Sequence, residues 1–577
     1  MLTTGTKRNL TLFATLLLML VAGVLSAQSN LLLQTSEVND LLVNYRADLG
    51  SLNRFYFVAG SPERRERMRT FYNEYVSKLE QLPFETLSQG GKVDYIMFKK
   101  TLTDELYSLD IEKKEYEQVK KYVTLCDPVY ELEKKRRRGL TLNSEEVART
   151  LRDVQAQLQD ALKKLSAEPN LSPALTYRAE EILKGHRAAL KSVYDFYYGY
   201  DPQFTWWVAK PYQLLDSTLN VYTSAIKKKV DKTKLPKDDG SGIIGNPIGR
   251  DEIIRQLTFE MIPYTPEELV DIAMKEFAWC DKEMLKASNE MGFGNDWKKA
   301  LEKVKQTYVP EGRQPEAMLD LYNQSVDFIK KHDLITIPPL SEEVWRMRMM
   351  SPEQQKVSPF FLGGEVLQIS YPTADMGHDD KLMSMRGNNP HFSRAVVHHE
   401  LIAGHHLQQF MNQRNKAYRN FRTPFWTEGW ALYWEMILWD MNFPRNAEDK
   451  VGMLFWRMHR CARIIFSLNY HTTKWTPQQC IDFLVDRVGH ERANAEGEVR
   501  RSFTGRYGPL YQLAYMMGAL QFYALKKEVV DSGKMTYKQF HDAVMRENSM
   551  PVEMVRAILT NQNLSKDFTT NWRFYGK

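Results

Sequence analysis

Residues 398–409 read HHELIAGHHLQQ. Four of the chain's 12 histidines, His398, His399, His405 and His406, fall within nine positions, with Glu400 among them. Imidazoles around a carboxylate are the raw material of a hydrolytic zinc site. Such a site needs two or three neutral imidazoles or carboxylates on the metal, an open coordination position, and a base for the proton of the bound water. Its compact spelling is H-E-x-x-H, whose histidines stand about 40° apart on a helix. Here Ala403 occupies the place of that second histidine. On an ideal helix His399 and His405 would lie about 120° apart, while His399 and His406 would share a face but be separated by about 10 Å along the axis. Neither pair reaches one ion from a straight helix, because each ligand atom must come within about 2 Å of it.

Gly404 is where the helix can bulge, tighten or end, because glycine is permissive and such irregularities cluster at functional sites. Residues absorbed between Glu400 and His405 would return His405 towards His399 and leave Glu400 beside the metal water. The alternative is a set of histidines serving structural hydrogen bonds. A second element, TEGWALYWE, begins 22 residues after His405 and sets Glu428 at the start of an apolar, aromatic helical pattern. A carboxylate there would complete a three-ligand zinc site with one position open. Glu435, seven residues on, falls on the same face and would orient a ligand histidine.

These stretches, HELIAGHHLQ and EGWALY, resemble the DUF885 family, whose pattern is H-E-x-x-P-G-H-H-L-Q followed by E-G-W-A-L-Y and which looks distantly related to the glutamate-ligand zinc peptidases. The resemblance continues in GNPIGRDEI (245–253) and in EVRRSFTGRYGPLYQLAYMMG (498–518), so it spans most of the chain. The family proline is Ala403 here, and the tyrosine after the family arginine is Ser502. The resemblance implies one zinc ion held by His399, His405 and Glu428, with His406 as the alternative to His405. It implies Glu400 as general base, Tyr515 as oxyanion donor, and Arg501 as a bidentate partner for a substrate carboxylate. His471, in LNYHTTKW, is a further oxyanion candidate, with a structural role as its alternative. The activity implied is a zinc metallopeptidase acting on short peptides. The same residues would serve a metal-dependent hydrolase of other amides or esters, and a non-catalytic cleft-binding protein is the third reading.

The elements that must position these residues are helical. SEEVARTLRDVQAQLQDALKKLSAE (144–168) opens on Ser144 as a cap and carries apolar residues at three-to-four spacing, and similar patterns run through 176–194, 265–289, 296–307 and 315–332. The best strand-like run, GGEVLQISYP (363–372), precedes the histidines, where an edge strand could hold an extended peptide. The fold class expected is mainly α: a large two-lobed, metallopeptidase-like fold with a central cleft and a small β element near the active site. The stretch LPKDDGSGIIGNPIGRDEI (235–253) would join an N-terminal helical half (28–245) to a C-terminal catalytic half (246–577). The aromatic run YDFYYGYDPQFTWWV (194–208) reads as core packing.

The chain's 577 residues, 43% hydrophobic and 26% charged, suit a globular protein. Lys7 and Arg8 precede an uncharged run from Asn9 to Ala27, the layout of a cleavable export signal at residues 1–27, with an uncleaved anchor as the alternative. No lipobox cysteine follows. Without that segment, which holds two basic residues and no acid, the formal charge falls by two from +6. That mild balance predicts neither nucleic-acid nor membrane-surface binding; the resemblance implies a peptide or another small amide as partner, and the export signal implies a place outside the cytoplasm with no stable membrane insertion after cleavage. The four cysteines, Cys126, Cys280, Cys461 and Cys480, lack C-x-x-C spacing, and one disulfide between Cys461 and Cys480 is compatible with an oxidising compartment.

Overall fold

Helix starts are written in the sequence as a capping residue followed by proline: Ser172–Pro173, Asp201–Pro202, Thr265–Pro266, Asn389–Pro390 and Thr423–Pro424. The cap's side-chain oxygen accepts a free backbone N–H of the first turn, and proline brings a preset φ where no N–H is needed. The computed structural model describes residues 35–577 apart from Leu235, Pro236, Pro359, Asn420, Arg506 and Lys577, so the export signal expected at 1–27 lies outside it. The fold is mainly α. The helices used below, numbered in chain order, are α1 (Gln89–Val123), α2 (Ser144–Lys164), α3 (Pro173–Tyr197), α4 (Pro202–Lys228), α5 (Pro266–Glu290), α6 (Trp297–Lys305), α7 (Gln314–Lys331), α8 (Pro390–Glu400), α9 (His405–Asn412), α10 (Pro424–Asp440), α11 (Ala447–His471), α12 (Arg492–Phe503) and α13 (Tyr511–Lys526). The helical patterns expected from spacing are all present, with Asn143 rather than Ser144 capping α2. Among the described residues no helix is long and apolar enough to cross a membrane.

Apolar packing divides the chain differently from a boundary near residue 245. The main core takes residues from Val38 to Leu102 together with Ile243 to Phe574, and a second core is built from Tyr116 to Ile226. The helices that carry Val38–Leu102 therefore belong with the body that bears the histidine motif, while the α2–α4 bundle has a core of its own. α1 passes through both: at 35 residues it is about 52 Å long, with Val93–Leu102 in one core and Tyr116–Val123 in the other.

Two expectations are corrected. All four cysteines are free and buried: Cys461 of α11 pairs with the thiol of Cys280 on α5, while the Cys480 thiol donates to the Phe466 carbonyl at 3.7 Å. The aromatic run at 194–208 buries Phe204 and Val208, but Tyr200 (79%), in the turn between α3 and α4, and Trp206 (83%), on the outer face of the first turns of α4, are exposed.

The β element is a two-stranded parallel sheet, β1 (Arg346–Met349) with β2 (Val366–Ile369). Its other side is occupied by the chain itself at Gln368, which exchanges two backbone hydrogen bonds with Leu362 (2.8 and 3.2 Å). That edge is not open to a peptide there. The loop through Gly363 instead leans on Glu400: a Cβ at Gly363 would collide with the Glu400 backbone and carboxylate, and Gly364 N–H donates to the Glu400 carbonyl at 3.2 Å.

Candidate metal centre

The helix does not bulge at Gly404; it breaks. α8 ends at Glu400, residues 401–404 form a bend, and α9 starts at His405 with Gly404 as its N-cap. A Cβ at Gly404 would collide with the His399 carbonyl, so only glycine permits this fold-back. Trp430 of α10 holds the bend through an Nε1–H bond to the Ala403 carbonyl (2.8 Å). The His399 and His405 rings consequently stand 4.9 Å apart and nearly perpendicular.

α10 brings Glu428 to the pair. Its Oε2 lies 3.2 Å from His405 Nε2 and 3.6 Å from His399 Nε2, and one ligand atom from each residue falls within 4.8 Å of the other two. Tetrahedral ligands about 2.0–2.2 Å from zinc are roughly 3.3 Å from one another. The outer nitrogens are committed elsewhere: His399 Nδ1 hydrogen-bonds Glu435 (2.7 Å), and His405 Nδ1 hydrogen-bonds Gln408 Oε1 (3.2 Å), whose amide donates to the Thr427 carbonyl (3.1 Å). With Nδ1–H donating outward, each Nε2 lone pair is left for the centre. Glu428 Oε2 is buried and accepts no hydrogen bond, while Oε1 accepts from the Tyr511 hydroxyl. An orphaned buried carboxylate oxygen facing two imidazole lone pairs fits a divalent cation.

The electrostatics agree. Burial alone would raise the Glu428 carboxyl, but the neighbouring His405 and His399 outweigh it and hold it well below the usual carboxylate range. Burial likewise opposes charge on His405, yet Glu428 lifts it to about 9. The cluster therefore attracts positive charge despite its burial. Glu400, buried beside it, is shifted upward by burial, only partly offset by His405 and His399.

His399, Glu400, His405, Glu428, Tyr515 and Arg501 all line one cavity of about 270 Å³. Tyr515 lies parallel to His399, with ring centroids 6.1 Å apart. Arg501 is ion-paired with buried Glu498. His471 is not among the lining residues: it packs on Tyr470 and Phe503, eleven residues and about 16 Å along α11 from Arg460, which does line the cavity. The neighbours of the ligands stay outside. His406 Nε2 bonds the Ser341 carbonyl (2.7 Å), and His398 stands edge-on to Phe443. The cavity is built wholly from residues 360–515, not between the two halves of the chain. A second cavity of about 680 Å³ adjoins it across Glu428 and Tyr511 and adds Arg46 from the N-terminal segment.

The DUF885 family, described as bacterial proteins of unknown function, matches residues 56–559. The chain belongs to this family. None of the curated proteins matches its sequence. Among solved structures it is similar to one from Shewanella oneidensis, described as "a putative lipoprotein of unknown function" (16% identity, TM-score 0.66, covering 90% of this chain and 99% of that one). A second, described as "the putative lipoprotein from Colwellia psychrerythraea", has 15% identity, a TM-score of 0.48, and covers 72% and 74%. These likenesses concern the fold alone.

Three cavity residues escape the spacing of the motifs. Tyr511 is one turn before Tyr515 on α13, and Arg460 and Arg463 are one turn apart on α11. A partial signal was available: the largely apolar stretch MLFWRMHRCARIIF holds three arginines, and the two that prove buried, Arg460 and Arg463, demand buried partners.

Proposed function

We propose that this DUF885 protein is a zinc-dependent metallopeptidase that hydrolyses short peptides outside the cytoplasm. The observation that carries the reading is the trio of His399 Nε2, His405 Nε2 and Glu428 Oε2, with both Nδ1 atoms engaged outward and the carboxylate oxygen left unpartnered. A zinc ion there would supply a Lewis acid and a water acidic enough to lose its proton near neutral pH. Glu400 stands beside the ligands with its proton affinity raised, suited to taking that proton and returning it to the leaving amine. Tyr511 spends its hydroxyl proton on Glu428, which leaves Tyr515 as the donor for the developing oxyanion. Glu435, itself held by Arg460 at 3.2 Å, fixes the tautomer and angle of His399. Export is supported by the sequence of residues 7–27 alone.

Metal analysis and one substitution test this. The purified protein should hold close to one zinc after loading. The variant Glu400→Gln should keep the metal while hydrolysing a mixture of short peptides at least about a hundredfold more slowly. No zinc uptake, or turnover by the variant equal to the parent's, would remove the reading.

A further inference from the structure

The cavity carries more positive charge than its own acids neutralise, and the surplus sits on one wall. Arg463 Nε donates to Glu498 Oε1 at 2.7 Å, and Arg501 is ion-paired with the other oxygen of the same carboxylate. Two guanidiniums therefore share one anion. Arg460 is matched separately by Glu435. With a divalent ion bound, Glu400 and Glu428 would together balance it, and the wall at Arg463 and Arg501 would keep one unit of positive charge. Both arginines are buried, at 2% and 6% exposure, and Arg463 Nη1 and Arg501 Nε have no hydrogen-bond partner. An unmatched buried guanidinium with idle N–H groups is costly unless a ligand supplies the anion.

We propose that Arg463 and Arg501 bind the free C-terminal carboxylate of the substrate peptide, so that the enzyme removes residues from the C-terminal end. This rests on the metallopeptidase reading. The planar guanidinium fork suits a carboxylate, which it can hold through two parallel hydrogen bonds. Spacing limits the fragment released. The Tyr515 ring neighbours both features, its centroid 6.1 Å from that of His399 and 4.3 Å from the Arg463 guanidinium carbon. The metal ligand and the arginine are thus no further apart than about three residues of extended chain, and ligand reach at both ends shortens that to one or two. The rest of the peptide leaves through the larger cavity beyond Glu428 and Tyr511, which is lined by the amides of Gln409, Asn412 and Gln413 together with Arg46, Arg419 and Arg422, of which Arg419 is already paired with Asp94 and Glu547.

Binding and cleavage are read separately. With the zinc-loaded Glu400→Gln variant, titration calorimetry compares Ala-Ala-Phe with its C-terminal amide and with its N-acetyl form. The free acid should bind at least about thirtyfold more tightly than the amide, and N-acetylation should change affinity by no more than about threefold. Adding Arg463→Met should bring acid and amide within about threefold, and the acid–amide comparison stands on the arginine-intact protein even if that second variant fails to fold. Wild-type enzyme should first release one or two C-terminal residues from an N-acetyl hexapeptide. Equal binding of acid and amide, binding of neither, or internal cleavage of the hexapeptide would overturn the inference. If the acid–amide difference persists while wild-type enzyme cleaves nothing, the carboxylate site stands and the peptidase reading alone falls.

Discussion

Glu435 touches no open position of the site, yet the orientation of His399 depends on it. Its carboxylate accepts the His399 Nδ1–H bond at 2.7 Å, and charge from Arg460 outweighs burial to keep it ionised. Replacing it with alanine frees the ring to turn and removes a basicity-raising partner, so Glu435→Ala should weaken zinc binding by about 10- to 100-fold in competition with a chromophoric chelator. Unchanged affinity would show that His399 is positioned by something else. At this scale the sequence was legible where residue type and spacing restrict the chemistry: His399, His405, Glu428 and Glu435 meet as their motifs predict. Arg460 and Arg463 were only partly so: the apolar run around them hints at burial, but an arginine in a helix is ordinarily a solvated one, and packing decides which of the three in that run faces the cavity. His471 shows the converse, since a histidine on a plausible helix still has to be at the right height along it.

The helices reach the site through one close crossing. α10 and α13 meet at Gly429 and Gly518, where a Cβ on Gly518 would collide with the Phe425 carbonyl and the Gly429 backbone, and a Cβ on Gly429 with the Gly518 backbone. This contact sets Tyr511 and Tyr515 against Glu428. Gly518→Ala must push the helix backbones away from each other, so it should lower stability by about 1–3 kcal/mol in a denaturant titration and displace both tyrosines. A variant as stable as the parent, with full zinc affinity, would mean the crossing has slack. Element positions were readable from caps, prolines and apolar spacing because those are local causes. The break after Glu400 is one of the three forms expected at Gly404, alongside a bulge and a tightened turn. A bulge and a bend answer the same need, and the choice depends on Trp430 being there to hold the Ala403 carbonyl, a contact between segments 27 residues apart.

For the whole molecule, buried neutral histidines set a limit on acid stability. Burial pushes His186 and His471 down to about 4, and His490 and His541 down to about 3. In the unfolded chain each would take a proton near pH 6.5. Below that value the unfolded state binds more protons than the folded one, so the stability these groups confer is complete above about pH 6.5 and is lost as pH falls towards 3–4. The loss is on the order of 1 kcal/mol per histidine per pH unit. With a chelator present to exclude effects of metal, the melting temperature should already decline between pH 7 and 5, before ordinary carboxylates titrate. A flat profile over that interval would contradict the assignment. The distribution of cores could not be read from the sequence, because α1 is one uninterrupted helical pattern and nothing local marks where its neighbours change.

That shared helix bears on modularity. A bundle joined to its host by a flexible connector can be lost or exchanged and leave each piece intact. Here the join is 35 residues of continuous helix, and trimming away the bundle would strip the cover from Tyr116, Val119 and Val123 and leave them facing water. The α2–α4 bundle is therefore not a detachable accessory. It and the body that bears the histidine motif are heirs to the same helix, and neither can be passed on without it.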